Sequence, residues 1–434
     1  MSFLTSPFGL TVLLILSLSL LGAPIGLSML GASIFYLFWV KQDIGLAAEQ
    51  LLQGLWNGYT LLSIPLFIIA ANFMSIGALS QKLMDFCSAL VGRFRGGLGH
   101  VNVISSLIFA GMSGSAVADA VGLGKISIDM MVRGGRYTPS YAGAITAATA
   151  VIGPIIPPSI PMVLYSLVSD ASIGFLFLAG VIPGLAMTVV MSGVNWYMAR
   201  KHDFPVEKAV PLRELPRITW EALPALMMPV VLLGGIYGGV MTPTEAAAVA
   251  AGYALVVSWL LYRSVTLRAT YLSLLSSARS TASVGILVAG ALVFNYVVTK
   301  ENIPVDIKLW LDGFHLSKWQ FLLMVNLLLL GLGCLLDAST VLLVIVPILI
   351  PTAQGLGIDM VHFGLVVVMN LMIGLITPPY GLLLFIVASL TKASFASIVK
   401  DTMPFIFALI AALVVLTAFP DIVLWLPRVF GYKG

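Results

Sequence analysis

Two carboxylates stand where charge is expensive: Asp119 in GMSGSAVADA (111–120) and Asp337 in GLGCLLDAST (331–340). Near a bilayer centre a carboxylate costs on the order of 2.5–3.5 kcal/mol on the mildest scale, so its default reading is functional. Two roles coexist for the pair, contact with a cation and orientation of a site by accepting backbone amides at a half-helix start. Beside Asp119, Gly111 and Gly114 permit close backbone approach, and the hydroxyls of Ser113 and Ser115 can ligate a cation or hold a substrate carboxylate. Each acidic stretch is followed by a proline cluster, GPIIPP (153–158) and GLITPP (374–379). Pro154, Pro157 and Pro158 lack amide donors and free the carbonyls around Gly153, Ile155 and Ile156. In hydrocarbon each unpaired backbone group costs several kcal/mol, so such a break persists only beside protein or a polar cavity. Freed carbonyls suit a dehydrated monovalent cation, and the half-helix N-termini beside them suit an anionic group. One break alone reads sooner as a proline kink satisfied by nearby Ser or Thr. Two breaks at equivalent places, each with a polar partner stretch, point to ion sites.

The elements that carry these residues lie within a membrane. The chain has 434 residues, 60% hydrophobic and 9% charged, where a soluble protein carries roughly 25% charged residues. A helical span takes about 20 residues, so this length holds ten or more spans and no large soluble domain. The formal charge of +4 fits membrane topology rather than nucleic-acid binding. Cys87 and Cys334 lie in separate segments and form no disulfide framework. No basic region precedes the first apolar run, which is expected to stay as a helix and not to be a cleaved signal.

A shift of about 219 residues superposes Pro24 on Pro243, Asp119 on Asp337 and Gly153 on Gly374. The chain therefore reads as two related halves, 1–199 and 220–434, joined by a polar linker at 200–219. Segments 98–134 and 319–352 are too long for one span and are broken mid-way by small or polar residues. Each is expected to be a re-entrant hairpin, followed by a broken helix at 140–169 or 360–390. Five full spans then remain per half, so the halves must be inverted. Amphipathic pieces at 43–57, 81–95, 263–280 and 302–318 are expected along the interface, and a last span at 402–427. Placing the N-terminus outside puts fifteen basic residues inside, Lys208 among them, and six outside, with Lys125 in a hairpin uncounted. That bias obeys the positive-inside rule.

Other polar residues have structural readings. Glu245 in MTPTEAAA (241–248) fits a threonine-capped helix start, and Asp129 and Asp170 fit span ends. His100, His202, His315 and His362 are scattered and suggest neither a metal site nor a triad. With no HExxH, GxSxG or nucleotide-binding glycine loop, the chain is expected to be no enzyme and no ATP-driven pump.

At GMSGSAVADA (111–120), GPIIPPSIPM (153–162), MTPTEAAAVA (241–250) and GLITPPYG (374–381) the sequence resembles the large membrane subunit of tripartite ATP-independent periplasmic (TRAP) transporters, over essentially its whole length. The resemblance implies an all-α polytopic membrane protein with two inverted repeats, a fixed scaffold and a transport domain moving as an elevator. It implies sodium-coupled uptake at the bacterial or archaeal inner membrane. The expected partners are a small membrane subunit and a periplasmic solute-binding protein that delivers an organic acid. By that likeness one Na+ lies between Ser113, Gly114 and Ser115 and the residues Gly153, Ile156 and Pro158. A second lies between Gly333, Asp337 or Thr340 and Gly374, Thr377 and Pro379. Pro157 and Pro378 shape the breaks, Asp119 and Asp337 match acidic positions of the family, and Cys334 stands where the repeat places Ser113. Two alternatives remain: a self-sufficient divalent anion:sodium symporter, and a membrane protein that transports nothing. Trp56, Tyr59, Trp310 and Trp319 read as interfacial anchors or as packing for the small subunit.

Overall fold

Backbone amides in hydrocarbon must pair within their own segment, and the computed structural model is accordingly helical over the residues it describes, 6–76, 78–207, 210–263 and 265–434. Lys208 and the first five residues lie outside them. The first half opens with α1 (Pro7–Leu20), α2 (Ile25–Trp39), α3 (Gly45–Asn57), α4 (Ser63–Ser75) and α5 (Ala78–Val91). A hairpin follows, α6 (Gly97–Ser113) leading in and α7 (Ala116–Val121) with α8 (Leu123–Val132) leading out. Next come α9 (Pro139–Ala150) and α10 (Ile160–Ser169), the halves of a broken helix, and then α11 (Ile173–Lys201). The second half repeats this order with α12 (Leu215–Tyr237), α13 (Pro243–Val256), α14 (Leu267–Lys300) and α15 (Ile303–Asp312). Its hairpin is α16 (Lys318–Gly333), α17 (Ala338–Val344) and α18 (Val346–Gly355). Its broken helix is α19 (Met360–Gly374) and α20 (Leu382–Thr391), before α21 (Phe395–Ala418) and α22 (Pro420–Val429).

Helix starts follow the local chemistry. Thr138 caps α9 ahead of Pro139. Thr242 and Glu245 form a capping box at α13, the Glu245 carboxylate accepting the Thr242 amide at 2.7 Å. Glu245 thus has the structural role read from its sequence.

The 29-residue helix α11 is about 43 Å long and separates the two ends of the molecule. At its C-terminal end lie the ion pairs Arg95–Asp203, Arg136–Glu207 and Lys82–Glu221, with Phe204 of the linker packed on Tyr137 and Tyr141. Toward its N-terminal end Phe175 meets Tyr432, whose hydroxyl donates to Asp359 at 2.8 Å, and Lys318 donates to Gly357 O at 3.0 Å. The first hairpin therefore enters from the end that bears Arg95 and Arg136, and the second from the opposite end, as inversion requires.

Two packing groups result. Helices α1, α2, α4, α13 and α14 pack on one another as a bundle. Hairpins and broken helices pack together with α11, α21 and α22 as a core. Residues 141–150 of α9 and 361–374 of α19 are all buried there.

Several expected segments differ. The stretch 263–280 is no separate interfacial piece, because from Leu267 it is the first half of the 34-residue α14. Ser276 and Ser280 of its polar face line the wall of a cavity, while Arg268 and Arg279 stay exposed. The expected span 402–427 breaks at Phe419–Pro420 into α21 and α22, where Phe419 leaves helical geometry and Pro420, with no amide to donate, opens the next helix. Among the described residues five helices are long and apolar enough to cross a membrane alone, or up to seven if each bent pair is one span. The remaining apolar segments are split into shorter helices.

Candidate functional site

At the first tip the chain leaves α6 at Ser113 and turns at Gly114, whose φ is +59°. A Cβ there would lie 2.5 Å from the Pro158 carbonyl oxygen, so the close approach demands glycine. Ser115 caps α7, its Oγ accepting the Ala118 amide at 3.4 Å. Opposite, α9 stops at Ala150 and residues 151–159 run without regular helix before α10. Ser159 caps α10 through the Met162 amide at 3.2 Å and donates to Pro154 O. One backbone bond ties tip to break: Ile160 N donates to Gly114 O at 3.4 Å.

The second tip repeats this with other residues. Gly381 N donates to Cys334 O at 3.3 Å, and Asp337 caps α17 by accepting the Ser339 amide at 2.9 Å. A Cβ on Gly374 would stand 2.6–2.9 Å from backbone atoms of Gly333. Both proline pairs, Pro157-Pro158 and Pro378-Pro379, are cis.

A polar clamp in each half holds the first leg of the hairpin to the first half of the broken helix. Asn102 donates to Thr146 at 2.8 Å between α6 and α9. Asn370 donates to Asn326 Oδ1 at 2.8 Å between α19 and α16.

The two tips share one cavity of about 570 Å³. Ser113, Gly114, Ser115 and Asp337 line it, together with Pro154 and the first turns of α10 and α20. Its other wall belongs to the bundle: Asn72 and Ser75 of α4, Ser276 and Ser280 of α14. Among the described residues Asp337 is the only charged one in the lining.

The tripartite ATP-independent periplasmic transporter DctM component, as a family, matches residues 12–422. This chain belongs to that family. The permease is 38% identical to the sialic acid TRAP transporter large permease protein SiaM of Vibrio cholerae, over 96% of this chain and 98% of that one. It is 40% identical to the C4-dicarboxylate TRAP transporter large permease protein DctM of Pseudomonas aeruginosa, over 86% of this chain and 87% of the other. Both relatives are named permeases, not enzymes. In fold it is similar to the YdaH transporter of Alcanivorax borkumensis, with a TM-score of 0.64, 15% identity and coverage of 86% and 87%.

In the permease the two acids are not equivalents, contrary to the pairing read from the shift. Asp337 caps α17 as Ser115 caps α7. Asp119 lies further along α7, 1% exposed, with Ser106 the hydroxyl beside it and no well-placed hydrogen bond to either oxygen among the described residues. By its bond to the break, Cys334 matches Gly114 and not Ser113. Of the expected residues, Ser113 is buried with an Oγ unpaired among the described residues, while Thr340 on α17 is buried. Thr377 Oγ1 donates back to Ile373 O at 2.7 Å, and Ile156 and Pro158 are buried in the first break. Asn72, Ser75, Ser276 and Ser280 do not stand out in the sequence as site residues. A signal for them exists, polar residues recurring every three or four positions along apolar segments.

Proposed function

We propose that the permease is the membrane-spanning carrier of a sodium-coupled TRAP system at the inner membrane. A small membrane subunit and a periplasmic binding protein complete it, and the cargo is an organic acid. One observation carries this reading: among the described residues the cavity between the tips is lined by a carboxylate and by no basic side chain. An anion entering it meets Asp337, so a bound cation must offset the charge. The cargo class comes from the relatives, whose names give sialic acid and C4-dicarboxylates.

Coupling sodium ions fit the backbone cradles at the two tips. Gly153 packs on Ser115, with a Cβ at 3.4 Å from its carbonyl oxygen, and Ser113 holds an unpaired hydroxyl. These groups, with Gly114, Ile156 and Pro158, suit the first ion. Gly333, Thr340, Gly374, Thr377 and Pro379 suit the second, and Asp337 adds negative charge nearby. The first turns of α10 and α20, ten residues each and both facing the cavity, suit the cargo carboxylate. Cargo and ions then support one another's binding, which is the basis of coupling. The core carries them past the bundle as an elevator, the bundle being the scaffold. Each net positive charge moved inward through 100 mV adds about 2.3 kcal/mol.

The test is uptake into liposomes holding both membrane subunits, with the binding protein outside. Uptake of the acid should follow an inward sodium gradient and vanish without sodium. Import driven by protons and indifferent to sodium would refute the ion assignment, and import without binding protein or small subunit would favour a self-sufficient symporter.

A further inference from the structure

A second cavity, about 440 Å³, lies between α10, the outer half of α14 and the second hairpin, and no tip residue is in its lining. Its α14 wall includes Val288, Ala291, Leu292 and Asn295, with Val298 and Thr299 beyond them. The α4 wall of the first cavity is Ile68, Ala71, Asn72 and Ser75. Every pair is separated by 220 positions, and so are Gly114 and Cys334, whose carbonyls each accept the bond from the broken helix. The two cavities are therefore repeat-related along this one wall, while Thr60, the counterpart of Ser280, is not in the second lining.

Contacts across the walls match as well. A Cβ on Gly122, at the end of α7, would lie 2.9 Å from Ser75 Oγ. At the other cavity Asn295 Nδ2 donates to Leu343 O, near the end of α17, at 3.1 Å, and Asn295 Oδ1 is buried without a partner among the described residues. At the same shift Thr60, half-buried beside α10, corresponds to Ser280 of the first cavity.

We propose that Val288, Ala291, Leu292 and Asn295, with Thr60, are the scaffold wall of the cargo site in the opposite-facing state. Asn295 takes there the place that Ser75 holds in this structure. Moving the core along α14 by the length of the seven-residue α17, about 10 Å, brings Asp337 and Ala338 to the level where Leu343 now sits. Inversion requires such an exchange, because swapping the conformations of two inverted repeats turns one access state into the other. The unpaired Oδ1 is then released to a cargo hydroxyl or amide, and Leu343 O gives up its amide donor. This inference rests on the moving-core reading above.

Cysteine pairs test it. In the full transporter with Cys87 and Cys334 replaced by alanine, S339C with S280C joins residues that line the present cavity, and mercuric ion should bridge them. S339C with N295C should be bridged only after the shift, and bridging should abolish uptake. Crosslinking needs no cargo, so its result stands whether or not sodium drives transport. If the S280C pair forms and the N295C pair never does, the proposal is overturned, and if neither forms the present arrangement fails with it. Asn295→Leu should lower the initial uptake rate about threefold to tenfold, the worth of one interhelical hydrogen bond in a membrane. An unchanged rate also overturns it.

Discussion

The two halves build the same device from different residues, and at the tips they differ in their side chains. The first tip is capped by a serine and keeps its acid buried; the second is capped by its acid, which faces the cavity. Away from the tips the halves diverge further. Between α3 and α4 the chain bends by 71° at Gly58, whereas the matching stretch of the second half is the uninterrupted α14. What both halves keep is the pair of bonds from break to tip and the amide clamp behind it. Repeat symmetry is thus retained where main chain has to meet main chain. It is relaxed in the tip side chains and at the bend between α3 and α4.

Glycine contacts give the sharpest way to break the comparison. Gly374→Ala should destabilise the fold by about 3 kcal/mol and lower uptake roughly a hundredfold, because its Cβ would press on the rigid Gly333 backbone. Gly153→Ala, with contacts at 3.2–3.4 Å, should cost about 1 kcal/mol or less. Thermal unfolding and uptake measured side by side check the order, and equal effects would mean that the two cradles are equally tight.

The acids come next. Asp119→Asn replaces a buried carboxyl group on which no basic side chain acts among the described residues, and it should stabilise the sodium-free protein by up to about 2 kcal/mol. It should also weaken stabilisation by added sodium. Asp337→Asn should leave sodium-free stability nearly unchanged, since asparagine caps a helix as well as aspartate does. A destabilised Asp119→Asn protein would show that the carboxylate has a partner holding it.

The caps come last. Ser115→Ala and Asp337→Ala should each cost about 1 kcal/mol, and by similar amounts, if the two residues hold equivalent places. A large difference in unfolding temperature between them would dissolve that equivalence.

Much of the architecture is legible in the residues alone. Proline spacing locates both breaks, and the over-long interrupted runs locate both hairpins, because hydrocarbon admits non-helical backbone only under strict conditions. The capping box at Thr242–Glu245 is legible too, being local chemistry. The places of Asp119 and Asp337 are not. A shift of 218 and one of 222 look alike in sequence, and only the caps, Ser115 on α7 and Asp337 on α17, fix which residue occupies which place. The role of 263–280 is hidden for a related reason, since an amphipathic face looks the same whether it turns to lipid headgroups or to an internal cavity.

By itself, then, the sequence determined that the chain crosses a membrane and where its helices are interrupted, which follow from the cost of polar backbone in hydrocarbon, and that it is doubled, which follows from the recurrence of its motifs. The tertiary structure alone decided which interruptions meet, that one acid is buried while the other caps, and that α4 and α14 close the cavity. Those are contacts between residues from dozens to hundreds of positions apart, and they are set by packing in three dimensions, of which no local pattern keeps a record.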